Sequence, residues 1–146
     1  MSVAVLVRMQ LAMPRDTRYV GLMRDVTACV LSEFSVAADA ADDVKLAITE
    51  ACANAVRHAS GASEYSVRIA AGPSGCEVEV VDLGPGFPPP GLHEPVAGDL
   101  ESGRGLFLIR SLVDDLQFIR EDDETCVRLI KRWPSPLATN VAEEPL

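Results

Sequence analysis

The stretch EYSVRIAAGPSGCEVEVVDL, residues 64–83, constrains the fold more than any other. It holds two alternating runs separated by Gly72-Pro73-Ser74-Gly75. Alternation has the period of a strand, and a four-residue Gly/Pro/Ser break between two such runs reads as a β-hairpin, so the pairing must be antiparallel. Tyr65, Val67 and Ile69 fall on one face of this hairpin, and Val78 and Val80 on another. A second pair of runs, DDLQFIRE and ETCVRLIKR, meets at Asp122-Asp123 and predicts a second hairpin. Near the start, Val3, Val5 and Val7 form a β-branched run closed by Pro14, as suits a strand at a sheet edge.

Between these strands the period changes. From Asp16 or Thr17 as N-cap, Tyr19, Leu22, Met23, Val26, Cys29 and Val30 recur at three- and four-residue steps, predicting a helix to about Ser32. SVAADAADDVKLAITEACANAVRHAS predicts a helix from about Ala40 to His58. Asp39 starts it, Val44, Ile48, Ala51, Cys52, Ala55 and Val56 form its apolar face, and Ser60-Gly61 stops it. GRGLFLIRSLV restarts a helix after two glycines, with Leu106, Ile109, Leu112 and Val113 inward. Helices that enter in twos and ones can all cover one face of such a sheet. The expected fold is therefore α+β, a two-layer α/β sandwich. One domain is expected over residues 1–133, and 134–146, with three prolines and no pattern, is expected to be a mobile tail.

With 48% hydrophobic and 24% charged residues, the 146-residue chain has the composition of a folded globular protein. Thirteen Lys and Arg against twenty-two Asp and Glu give a formal charge of -9, which disfavours nucleic acid as a partner. Cys29, Cys52, Cys76 and Cys126 stand singly in apolar contexts, with no metal-ligand spacing, and are expected to be buried reduced thiols. The first apolar run is interrupted by Arg8 and is too short to span a bilayer, so a cytoplasmic protein without a membrane segment is expected.

Three stretches carry possible chemistry. Glu50, Asn54 and His58 are spaced by four and stack on one side of the second helix among small residues Ala47, Ala51, Ala53 and Ala55. A solvated polar face is the plain alternative, but one in so acidic a chain would carry more charge. DLGPGF, with Asp82, Gly84 and Gly86, is either a turn or a strand exit where a carboxylate accepts from an exocyclic amine and the backbone approaches a flat ring. SGRGLFLI puts glycines at a helix N-terminus, either as a hinge or as an anion site built from free amides. Residues 87–102, with four Pro and two Gly, are expected to be an irregular lid. PPP is its stiff start, and His93 within it is a solvated side chain.

In this order, EACANAVRHA resembles the N box of the histidine-kinase-like (GHKL) ATPase superfamily, DLGPGF its first glycine box and GRGLFLI its second. The resemblance covers about residues 5–132. It implies the Bergerat-type fold, a mixed, mostly antiparallel sheet covered on one face by helices. Without a preceding dimerisation helix, the stand-alone domain most resembles bacterial anti-sigma factors that are serine/threonine protein kinases.

That resemblance implies ATP and Mg²⁺ as cofactors. It implies a sigma factor and a STAS-type anti-sigma factor antagonist as partners, with a homodimer also compatible. Glu50 would be the general base, and Asn54 the metal ligand. Asp82 would hold the adenine amino group beside Gly84 and Gly86. Gly103, Arg104, Gly105 and Leu106 would line the phosphate end. His58 matches the N box in a supporting role. The family's Gly-Thr pair before the last strand is Glu124-Thr125 here, which carries the nucleotide role to Thr125. A nucleotide-gated binding protein without kinase activity is the alternative function.

Overall fold

The computed structural model describes residues 4–57, 63–83, 100–121 and 124–134. Strand β1 (Val7–Pro14) leads through a 3₁₀ turn (Thr17–Tyr19) into α1 (Val20–Ser32) and α2 (Ala38–Arg57). The hairpin β2 (Glu64–Gly72) and β3 (Gly75–Leu83) follows, then α3 (Leu100–Leu112), β4 (Asp115–Glu121) and β5 (Glu124–Arg132). The strands form one sheet in the order β1-β2-β3-β5-β4, and every described pairing is antiparallel. Pro14 ends β1 on an open edge, where its missing N–H breaks no ladder.

Both expected hairpins form, with Gly72 opposite Gly75 and Glu121 opposite Glu124. Register settles which faces they share. Val67 pairs Val80, Ile69 pairs Val78, and Val127 and Leu129 pair Val80 and Val78. Directly opposed residues point to the same side, so the two sets read from sequence as separate faces are one face, and it is the one the helices cover. Met13, Tyr65, Val67, Ile69, Val78, Val80, Val127 and Leu129 meet Met23, Leu31, Ile48 and Ile109 there in a single core. α2 lies between α1 and α3 and reaches β3 and β5.

The inward face of α1 differs from the expected one. Val20, Met23, Thr27 and Leu31 are buried, while Leu22 is 47% exposed and Cys29 is exposed. Hydropathy passes over Thr27, but its hydroxyl donates to the Met23 carbonyl at 2.7 Å, so the residue enters the core with its polar group satisfied. Cys52, Cys76 and Cys126 are buried as expected, and burial pushes each thiol up to about 12. They remain protonated at neutral pH. No described helix is long and apolar enough to cross a membrane. The expected stop at Ser60-Gly61, the Asp122-Asp123 turn, most of the Pro-rich lid including His93, and the tail beyond Pro134 lie outside the described residues.

The other sheet face carries charges. Arg128 donates to Glu79 Oε2 at 3.0 Å and to Gln117 at 3.1 Å, and Arg68 stands 3.7 Å from Glu79. Burial opposes ionisation of Glu79, but the Arg128 hydrogen bond and charge outweigh it and hold the carboxyl below its ordinary 4.5. A group depressed on folding stabilises the fold above its unfolded pKa and loses that contribution as pH falls through the folded value. Glu79→Gln is therefore expected to destabilise by no more than about 1 kcal/mol at neutral pH, the pair being partly solvated. The difference should vanish in denaturant melts taken well below pH 4.5, the ordinary value of the Glu79 carboxyl.

Candidate functional site

Four polar residues are buried among the described ones: Thr27, Asn54, Asp82 and Thr125. Thr27 is explained by its own helix. The other three gather at one end of the sandwich, under the last turn of α2. Asp82 is the penultimate residue of β3 and sits directly opposite Thr125 of β5 on one side and Tyr65 of β2 on the other. All three point to the helix-covered face by the same alternation that buries Val80 and Val127.

Asp82 and its neighbours have hydrogen-bonding capacity to spare. Arg15, immediately after β1, donates from Nη2 to Asp82 Oδ1 and from Nη1 to the Ala55 carbonyl. Asp82 Oδ2, Thr125 Oγ1, Tyr65 Oη and Asn54 Nδ2, and at the far end of β5 Trp133 Nε1, are buried with no hydrogen-bond partner among the described residues. An unmet buried polar atom costs about 1–3 kcal/mol, so several at one place mark a position where a ligand completes the bonding. Burial, and then the neighbouring Cys52 thiol, push the Tyr65 phenol up from its ordinary value, so it remains a neutral hydroxyl.

Asn54 is 1% exposed, and its Oδ1 accepts from Arg57 Nη2 one turn on. Glu50, a turn before Asn54, is half-buried. Both are met by α3. A Cβ placed on Gly105 would stand 3.1 Å from Glu50 Oε2 and 3.4 Å from both terminal atoms of Asn54. Glycine is what lets α3 come this close, and Leu106 beside it is buried in the core.

The structure thus brings together Glu50, Asn54 and Gly105 at the α2–α3 contact, and Asp82 with Thr125 at the strand ends. It corrects the expected start of α3. The helix begins at Leu100, so Gly103, Arg104 and Gly105 lie inside its first two turns and not ahead of it. The Leu106 side chain serves the core. His58, Gly84 and Gly86 lie outside the described residues. Arg15 was not legible as a site residue: MPRDTR carries no local pattern, and only the tertiary fold brings it to Asp82. An open groove of about 330 Å³ on the opposite sheet face, lined by Arg8, Gln10, Arg68, Glu77 and Glu79 among others, includes none of these residues.

The two-layer α/β sandwich places buried, unsatisfied polar side chains where its central helix meets the strand ends, and the family comparison gives the class of protein. The chain belongs to the Histidine kinase-like ATPase domain family, which matches residues 13–131. Within it, the chain is similar to serine-protein kinase RsbW of Bacillus cereus (strain G9842), 30% identical over 129 residues, covering 81% of each chain. Serine-protein kinase RsbW of Bacillus anthracis (strain CDC 684 / NRRL 3495) is 31% identical with the same coverage. Among solved structures, the RsbU and RsbW domains of Rv1364c from Mycobacterium tuberculosis superpose with a TM-score of 0.66 at 18% identity. That likeness, which shows the fold, covers 89% of this chain and 34% of the longer one.

The Gly105 contact has a testable consequence. Gly105→Ala gains up to about 1 kcal/mol of helix propensity but intrudes on Glu50 and Asn54. Thermal melts are expected to show stability kept within about 1 kcal/mol, while nucleotide binding, measured calorimetrically, weakens.

Proposed function

We propose that this chain is an ATP-dependent serine/threonine protein kinase of the anti-sigma type, which binds a sigma factor and phosphorylates an anti-sigma factor antagonist. The observation that carries the reading is the juxtaposition of a carboxylate, a buried amide and a helix glycine beside unmet buried acceptors at the strand ends. Similarity to serine-protein kinases over 81% of the chain supports the reaction type.

Asp82 Oδ2 and Thr125 Oγ1 are the atoms suited to an adenine edge, Oδ2 accepting from the exocyclic amine. Gly84 and Gly86, next in sequence, are assigned to the face of the ring, because glycine brings no Cβ against it. Gly103, Arg104 and the main chain to Leu106, early in α3, are assigned to the phosphate end, with the helix dipole favouring negative charge.

Asn54 fits a divalent cation through Oδ1, a neutral oxygen suited to a hard ion that keeps most of its other ligands as water and phosphate. Mg²⁺ bound there would offset charge on the phosphate oxygens. Arg57, exposed at the helix end, has to release Oδ1 for this. Glu50, a turn away, orients the substrate hydroxyl and accepts its proton as the oxygen attacks the γ-phosphorus, whose bond to the β,γ-bridging oxygen breaks to release ADP. Tyr19 and Leu22, exposed at the start of α1, offer apolar surface to a protein partner.

Transfer of label from γ-labelled ATP to Ser or Thr of the cognate antagonist tests the reading. Glu50→Gln is expected to reduce transfer by about 10²–10⁴-fold while ADP affinity stays within a few-fold. Normal transfer by that variant would remove Glu50 as the base, and unmodified antagonist captured by the wild type with ATP would favour a pure binding protein. Asp82→Asn is expected to weaken ADP binding by about 1.5–3 kcal/mol in calorimetry. An unchanged affinity would mean that the orphaned oxygen faces no nucleotide.

A further inference from the structure

We infer that Arg15 is a positioning residue that sets base selectivity, holding one oxygen of Asp82 so that the other accepts only from a 6-amino purine. The inference rests on the nucleotide reading above. Its geometry comes from a contact no sequence motif encodes.

The Arg15 side chain is 6% exposed and that of Asp82 3% exposed, so the pair lies inside the protein. The planar fork of Arg15 engages two acceptors on different elements: Asp82 Oδ1 on β3 through Nη2, and the Ala55 carbonyl in the last turn of α2 through Nη1. Its own main-chain N–H donates to Ser63 at 3.2 Å, which anchors the Arg15 backbone beside β2. With Nη1 tied to the helix, the guanidinium plane cannot follow Asp82 if the carboxylate rotates. The carboxylate torsion is therefore held, with Oδ1 engaged and Oδ2 left as the unmet buried oxygen.

An ionised carboxylate accepts hydrogen bonds and donates none. A 6-amino group supplies the missing donor to Oδ2. A 6-oxo group brings a second acceptor against it, and a torsion locked by Arg15 cannot swing Oδ2 aside. Sites built to bond a particular donor reject analogues lacking it because the buried partner is left unmet. Without the Arg15 fork, the carboxylate can turn away from a 6-oxo group, and the rejection weakens.

The test compares ADP with inosine diphosphate, its 6-oxo analogue, by calorimetry on the full chain. The wild type is expected to prefer ADP by about tenfold or more. Arg15→Gln, which loses the charge and the fork, is expected to bring the preference close to unity. Arg15→Lys, which keeps the charge but cannot bridge both acceptors, should fall between. A merely structural role for Arg15 would lower both affinities together and leave their ratio alone. Should Arg15→Gln not fold, the ratio for Arg15→Lys decides: a reduced preference supports the inference. A wild-type ratio in every folded Arg15 variant overturns it while leaving the nucleotide reading intact. A wild type with no preference for ADP overturns both.

Discussion

A helix that lies on a sheet while holding another helix on each side can carry only small side chains where it is closest. α2 meets this constraint with Ala47, Ala51, Cys52 and Ala55, each no more than 2% exposed. Their small size lets the helix sit low over β3 and β5, and the rest of the arrangement depends on that height. One guanidinium, that of Arg15, can span from the end of β3 to the last turn of α2 only because the two are so close. On the other flank, Gly105 removes the last obstacle between α3 and the polar side of α2. Larger residues at these positions would thicken the core and separate the groups that form the pocket.

The same closeness creates polar groups without partners. Stability alone would favour filling or removing them, since each unmet atom works against the fold. Among the described residues Asn54, Tyr65, Asp82 and Thr125 carry most of this disadvantage at one end, with Trp133 Nε1 at the other, while the outer sheet face disposes of its charges in ion pairs with Arg128 and Arg68. The buried Arg15–Asp82 pair belongs with the pocket and not with general stabilisation, because a buried ion pair rarely outdoes a packed apolar one. Its value is in fixing where the remaining oxygen of Asp82 stands.

Much of this was legible in the chain. The hairpin from Glu64 to Leu83, the α2 period and the Glu50–Asn54 spacing all depend on local rules of two- and 3.6-residue repetition, which act within a few residues. Asp82 and Gly105 were legible as candidates beside Glu50 and Asn54, and the structure brings Gly105 to Glu50 and Asn54 and sets Asp82 opposite Thr125. Local rules were insufficient where neighbours decide. The inward face of α1 includes Thr27 and excludes Leu22, since a hydroxyl bonded to its own helix packs as an apolar group while no described element covers Leu22. Cys29 emerges exposed for the same reason, its place on α1 being turned away from α2 and the sheet.

The sequence by itself determined which segments are strands and helices, that the strands pair antiparallel, and which residue types are available for nucleotide chemistry, because these follow from periodicity, turn residues and side-chain functional groups. Only the tertiary structure decided that Val78 joins Ile69 on one face, that α3 begins before its glycines and presents Gly105 to Glu50, and that Arg15 meets Asp82 across 67 residues of chain. Strand register, helix approach and a long-range ion pair have no local signature. They are settled when the whole core closes and each buried group must find whatever partner the packing provides.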